Sequence, residues 1–233
     1  MYCSVIQKYT TKLKFYKLGY NCLTCIRRKK VFFILRYVKI GSDEVIKMIT
    51  TIQHIDTFIL NFIQNNLHST LMDKIMPVIT FLGNNGVVWI VIAILLVISK
   101  KYRTTGLMLV GALVICLIIG NLTLKPVIAR ARPCWVNTSV HLLVSSPKDY
   151  SFPSGHTMSS FAAAVVLFLR NKKFGIWALL LAAMISFSRL YLYVHYPSDV
   201  AAGLVLGIAA AYLSVKAFPI VRNMLNKIVR TRP

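Results

Sequence analysis

Three short polar clusters flank apolar stretches of this 233-residue chain and carry residues that could do chemistry. The first is Lys125, Arg132 and Pro133; the second is Pro153-Ser154-Gly155-His156; the third is Ser188-Arg189, His195 and Asp199. Together they supply three cations, two imidazoles, one carboxylate and the amides of a helix start. That inventory suits a phosphate group. At an effective dielectric of about 20, a cation about 4 Å from a phosphate charge contributes about 4 kcal/mol before desolvation. Cations so placed also stabilise charge on the equatorial oxygens of a phosphoryl group in transfer.

Each cluster has a plainer reading alone. Lys125 and Arg132 are seven residues apart, so on a continuous helix they share a face with a rise of about 10 Å and could converge on one anion. Pro126 allows a bend just after Lys125, Pro133 stops the segment, and Arg130 points elsewhere if the segment is helical. Without company, this pair is a basic cluster at a membrane end. Ser154 can cap a helix, Gly155 permits close backbone approach, and the helix start is an anion site. His156 falls in the first turn, where it could donate a proton; alone, it is an interfacial histidine on a capped helix. Asp199 lies four residues after His195. A carboxylate there can accept from one ring nitrogen, fix the tautomer and leave the other nitrogen free to attack. Alone, Asp199 is a helix-start carboxylate favoured by the dipole, with Pro197 suited to the first turn.

The elements that must hold these clusters are apolar helices. The chain is 57% apolar and only 15% charged, with mean hydropathy +0.65, which is membrane-protein composition. Cations, imidazoles and a carboxylate between such helices are expensive, and function is their default explanation. Segments 86–99, 105–124, 158–169, 174–192 and 200–218 read as five transmembrane helices. Several fall short of the ~20 residues a span needs, but residues 80–85 and 150–156 can extend them. Upstream, in residues 45–82, apolar Ile52, Ile55, Phe58, Ile59, Phe62 and Ile63 recur with Gln53, His54, Asp56 and Asn61 between them. This amphipathic pattern predicts a helix lying in the interface or packed against the bundle. The expected fold is therefore all-α: a polytopic transmembrane bundle with five clear spans and a sixth, plus an amphipathic interfacial helix. Residues 1–50 form a basic N-terminal segment, 51–218 the membrane-embedded domain, and 219–233 a basic cytoplasmic tail.

The net charge is +22, and residues 1–42 hold ten Lys/Arg and no acid. A nucleic-acid partner is set aside, because the cations flank apolar spans, where they set orientation and touch anionic head groups. Lys100, Lys101 and Arg103; Arg170, Lys172 and Lys173; and Arg222, Lys227, Arg230 and Arg232 occupy alternate connections and the tail. The positive-inside rule places all three groups in the cytoplasm and turns residues 125–152 and 193–198, with the polar clusters, outward. Five spans then leave the basic N-terminus outside, whereas a sixth crossing within residues 31–82 brings it inside. Hydropathy alone favours five, the charge rule six. No secretory cleavage site follows the short apolar run at 31–40, which Arg36 interrupts. The five cysteines make no disulfide framework, and Cys22 and Cys25 form a single C-x-x-C without the second pair a structural zinc site needs.

The three motifs, Lys125 to Arg132-Pro133, Pro153-Ser154-Gly155-His156 and Ser188-Arg189 to His195 and Asp199, resemble without departure the three-part signature of the type 2 phosphatidic acid phosphatase and vanadium haloperoxidase superfamily. The resemblance covers residues 50–218. It implies that His195 is the nucleophile and forms a phosphohistidine, and that Asp199 orients and polarises it. His156 would protonate the leaving oxygen and then activate water. Lys125, Arg132 and Arg189 would bind the phosphoryl oxygens, with Ser154 and Gly155 helping. The family's phosphatases use no metal or other cofactor, in keeping with too few carboxylates here for a two-metal site. The implied partner is a phosphorylated lipid within the bilayer, with the site on the extracytoplasmic face of the cell membrane; no oligomeric state is implied. Similar short bacterial members act on undecaprenyl pyrophosphate, phosphatidylglycerol phosphate or phosphatidic acid, and the first is favoured because its hydrolysis is needed on the outer face. The alternatives are a phosphotransferase using the same site, a haloperoxidase (whose family members are soluble and larger), and a non-catalytic transport or structural protein, which would tolerate loss of His195.

Overall fold

The computed structural model describes the backbone of residues 25–230 and the side chains of residues 44–223. The chain divides into two compact units, Met1–Thr51 and Ile52–Pro233. Helix α1 (Cys25–Asn66) contributes to both. In the first unit the described backbone is helical, and the Thr50 and Thr51 hydroxyls each donate to the Lys47 carbonyl at 2.8 Å. The Cys22–Cys25 motif and most of the basic N-terminal segment have side chains outside the described residues.

In the second unit the chain continues through α2 (Thr70–Leu82), a 3-10 turn (Asn84–Gly86), α3 (Val87–Ile98) and α4 (Arg103–Cys116). A π-helical stretch (Leu117–Leu124) leads into two single-turn helices, α5 (Lys125–Ile128) and α6 (Pro133–Val136). Then come α7 (Gly155–Arg170), α8 (Lys172–Tyr191) and α9 (Pro197–Arg230). Local chemistry sets these boundaries. Ser69 caps α2 by accepting from the Met72 amide, and Ser154 caps α7 by accepting from Thr157. Asn171 ends α7 and caps α8, accepting from the Lys173 and Phe174 amides. Pro197 opens α9, where its missing N–H costs nothing.

Helices α4, α7, α8 and α9 pack through small side chains. Ala162, Ala163, Ala164, Ala182, Ala210 and Ala211 are buried at their interfaces, which lets the backbones approach closely. Trp89 fills the gap between α3 and α7 and donates from Nε1 to Ser160 Oγ at 2.9 Å. The outer surface carries Ile90, Ile94, Ile98, Trp177, Val205 and Leu213, as expected where the solvent is hydrocarbon.

Three expectations change. The fold is all-helical among the described residues, but only three stretches, Arg103–Val136, Lys172–Tyr191 and Pro197–Asn223, are long and apolar enough to cross a membrane. A fourth arises if α2 and α3, bent by 43° at their junction, form one span. Helix α7 falls short of the length because Ser154 and Asn171 confine it to 16 residues, about 24 Å at 1.5 Å per residue. Second, the stretch upstream of residue 82 is two helices, not one. It is the end of α1 followed by α2, and in α1 the apolar Ile52, Ile55, Phe58 and Phe62 are exposed while Asp56, Leu60 and Ile63 are buried. The helix turns a partly polar face inward because its polar groups have partners there. Third, Lys125 and Arg132 do not share a continuous helix: α5 ends at Ala129, whose φ of 48° breaks the helical path.

Candidate active site

The break at Ala129 sends neighbouring arginines in different directions. Arg130 reaches the start of α9 and α1, whereas Arg132, 2% exposed, turns to the loop after α8. Arg132 Nη1 donates to the Val194 carbonyl at 2.7 Å and to His195 Nε2 at 3.0 Å. A guanidinium can only donate, so Nε2 carries the lone pair and the His195 proton sits on Nδ1. That nitrogen faces Ser151 Oγ at 3.4 Å and Asp199 Oδ2 at 3.6 Å. Asp199 Oδ2 accepts from the Ser151 hydroxyl at 2.5 Å and from the Tyr196 amide at 2.9 Å. Asp199 thus sits behind His195 as the spacing suggested, with Ser151 beside the contact. Burial pushes the His195 imidazole down to about 3, against the Asp199 hydrogen bond that favours its protonation, so the ring is neutral at physiological pH.

His156 stands in the first turn of α7. Its Nε2 lies 2.9 Å from Asn84 Oδ1 on the 3-10 turn. With the amide oxygen accepting, His156 carries its proton on Nε2 and Nδ1 is free. Gly83, next to Asn84, leaves this imidazole its space: a Cβ there would lie 2.8 Å from His156 Cδ2 and 2.7 Å from Ile185 Cγ2. Gly155 exposes the helix start in the same way, since a Cβ there would meet Asn121 Oδ1 at 3.2 Å and Lys125 Nζ at 3.8 Å. Ser154 is buried, and its hydroxyl is turned to Thr157 as the cap, accepting from Thr157 Oγ1 at 3.0 Å. Its amide donates to the Asp199 carbonyl at 3.1 Å, which ties the second motif to the third.

The cations converge. Arg189, 5% exposed near the end of α8, donates from Nη1 to Thr80 Oγ1 at 2.6 Å, while its buried Nε has no partner among the described residues. A buried donor left open is uncommon and calls for an acceptor. Lys125 Nζ is paired with Asp149 Oδ2, and Arg132 Nη2 donates to Asp149 Oδ1 at 2.7 Å. Burial alone would raise the Asp149 pKa, but the Lys125 hydrogen bond and the Arg132 charge outweigh it and hold the carboxyl down to about 2. Lys125, Arg132, Arg189, Gly155, His156 and His195 all line one cavity of about 900 Å³. The same cavity is lined by Ile90 and Ile94 of α3 and by Val110, Leu113 and Val114 of α4, so the charged end continues into an apolar trough.

Sequence reasoning missed Asn84, Thr80, Ser151 and Asp149, and also Gln53, Asp56 and Ser198 as partners of Arg130. One of them left a signal: Asp56 is the one carboxylate between Val45 and Met72, and a carboxylate among apolar residues implies a buried partner. The others are ordinary polar residues in loops and helix ends, and only proximity reveals them.

The profile of the PAP2 superfamily matches residues 105–222, more than half of the chain. The chain belongs to the PAP2 superfamily. It is 35% identical over 195 residues to the undecaprenyl-diphosphatase of Sulfolobus acidocaldarius, covering 81% of this chain and 92% of that protein. Among solved structures it resembles LpxE of Aquifex aeolicus with TM-score 0.62 and 28% identity, over 70% of this chain and 95% of that one. It also resembles the PAP2-type phosphatidylglycerolphosphate phosphatase of Bacillus subtilis with TM-score 0.58 and 25% identity, over 87% and 96%. This PAP2 protein is accordingly an enzyme of the phosphatase class and a multi-pass membrane protein.

Proposed function

We propose that this PAP2 phosphatase hydrolyses the terminal phosphate of a membrane lipid at the extracytoplasmic face, with undecaprenyl diphosphate as the preferred substrate. The observation that carries the reading is the single cavity that joins three cations and two imidazoles to an apolar trough between α3 and α4. A phosphate held at the cationic end leaves a hydrocarbon chain in the trough. The diphosphate preference rests on the relatives named for that substrate.

Chemistry at the charged end runs in two steps. Phosphoryl oxygens take the donors of Lys125, Arg132 and the open Nε of Arg189, and in taking Arg132 they free the lone pair on His195 Nε2. Nε2 attacks phosphorus and the bond to the lipid oxygen breaks. With the anionic phosphate bound beside it, His156 takes up a second proton, on the free Nδ1, and gives that proton to the leaving oxygen. His156 then takes a proton from a water that attacks the phosphohistidine, the P–N bond breaks, and His195 and inorganic phosphate are released. Asp199 stabilises the charge that grows on the His195 ring. Gly155 lets the α7 amides approach the phosphate, and Ser154 holds that helix start in shape. Residues 51–218 form the membrane-embedded catalytic domain in this account, with α7 as a short span completed by the loop before it.

The test is phosphate release by purified protein, in detergent with excess chelator, from undecaprenyl diphosphate, phosphatidylglycerol phosphate and phosphatidic acid. His195→Ala should abolish release from all three while the protein still inserts in the membrane. Near-normal release by that variant overturns the nucleophile assignment, and phosphate appearing only when an alcohol acceptor is added, as a new phosphoester, identifies a phosphotransferase instead.

A further inference from the structure

A line of buried charge runs from α1 to the imidazole of His195. Asp56 on α1 is 1% exposed. Its Oδ2 accepts from Arg130 Nη2 at 2.7 Å and from Ser198 Oγ at 2.5 Å, and its Oδ1 accepts from the Ser198 amide at 2.8 Å. Gln53 Oε1, one turn earlier, accepts from the same Arg130 Nη2 at 2.8 Å. Arg130 Nη1 in turn donates to Asp199 Oδ1 at 2.6 Å, and its guanidinium lies 4.0 Å from the centre of the Tyr196 ring. The order is Asp56, Arg130, Asp199, His195. Asp56, Arg130 and Asp199 are absent from the cavity wall, which His195 lines. They therefore act on the site from behind.

We propose that Asp56 is a positioning residue for phosphoryl transfer, acting through Arg130 on Asp199; this rests on the assignment of His195 as nucleophile. Arg130 holds Asp199 at the right place but also neutralises it. Asp56 pairs with the other face of the same guanidinium. Two carboxylates and one guanidinium leave one negative charge behind the ring. That charge is what the imidazole needs when it bonds to phosphorus and becomes cationic in a buried site. Without the Asp56 charge, Arg130 and Asp199 form a neutral pair, and the growing cation has no net negative charge behind it. Geometry adds to charge. Asp56 and Gln53 fix Nη2, so Nη1 is aimed at Asp199 and the carboxylate cannot turn from the ring. The helix that supplies Asp56 lies before residues 105–222, the part matched by the PAP2 profile.

The test uses the full-length protein in detergent with undecaprenyl diphosphate as substrate and orthovanadate as an inhibitor that reports on the phosphate cradle. Asp56→Asn should lower kcat about 10- to 100-fold, the range for outer partners of a catalytic group. KM and the vanadate inhibition constant should stay within about twofold, because Lys125, Arg132 and Arg189 do not touch Asp56. Adding Arg130→Gln to Asp56→Asn restores the single negative charge, so the double variant should be faster than Asp56→Asn alone. Wild-type kcat in Asp56→Asn, a loss confined to KM and vanadate binding, or a double variant no faster than the single each overturns the inference. If Asp56→Asn does not fold, the double variant is compared with the wild type, whose single negative charge it keeps: kcat within about tenfold with an unchanged vanadate constant supports the inference, and a loss of more than about 100-fold overturns it. His195→Ala keeps the two readings apart. Turnover in that variant removes the nucleophile and this inference with it, whereas a dead His195→Ala beside a wild-type Asp56→Asn overturns this inference alone.

Discussion

Asp149 holds two of the three cations that would receive a phosphate. Its carboxylate bridges Lys125 and Arg132 from a loop in which its own side chain is about half exposed. Because its pKa is held down, from 3.8 to about 2, the pairs contribute stability at neutral pH and lose it only as pH falls from about 4 toward about 2. An incoming phosphate must compete with this carboxylate or share the cations with it. Competition predicts that Asp149→Asn tightens inhibition by inorganic phosphate about three- to tenfold, which is up to about 1.4 kcal/mol. Inhibition curves at fixed pH check this. Unchanged or weaker inhibition would mean that Asp149 orients the cations instead of occupying their site.

At the scale of elements, breaks in helices do more for the site than the helices themselves. The break at Ala129 separates Arg130 from Arg132, and the 43° bend between α2 and α3 brings Asn84 to His156. Gly83 sits at that bend with no room for a side chain. Gly83→Val should displace the His156 ring and strain the α2–α3 junction. Overpacking of this kind costs about 1–3 kcal/mol, and the loss of geometry should lower kcat at least tenfold. Thermal unfolding and kcat measured on one preparation separate the two effects. Wild-type kcat would show that the bend can open without cost to His156.

At the scale of the whole molecule, charge in the connections between helices is the basis of the proposed orientation. The loop bearing Lys125 to Phe152 and the loop bearing His195 meet at one cavity, and the connections between α3 and α4 and between α7 and α8 carry the basic residues. The positive-inside rule would then turn the cavity outward, the orientation proposed here. A cysteine at exposed Lys148, with Cys134 replaced by serine, should react with an impermeant maleimide in intact cells, while one at exposed Lys101 should not. The opposite pattern would invert the orientation and remove the argument for a substrate on the outer leaflet.

The arrangement of the candidate site was legible in the chain because motif residues need fixed spacing. Helix-start signals at Ser154 and Pro197 and the four-residue step from His195 to Asp199 follow from local geometry, so the two imidazoles, the capped α7 start and the carboxylate behind His195 could be read directly. The apolar runs were legible for the same reason, since lipid imposes hydrophobicity on every helix it touches. What the sequence left open depends on contacts between distant residues. Lys125 and Arg132 looked like one helical face until Ala129 broke it, and the sequence did not separate the exposed Ile52, Ile55, Phe58 and Phe62 of α1 from the buried Asp56, Leu60 and Ile63. Asp56, Arg130, Asn84 and Ser151 acquire their meaning from partners 44 to 74 residues away, and no local pattern encodes such a pairing. Only tertiary structure decided which polar groups would share the low-dielectric interior, because a buried charge is tolerable there only beside a partner that the fold itself delivers.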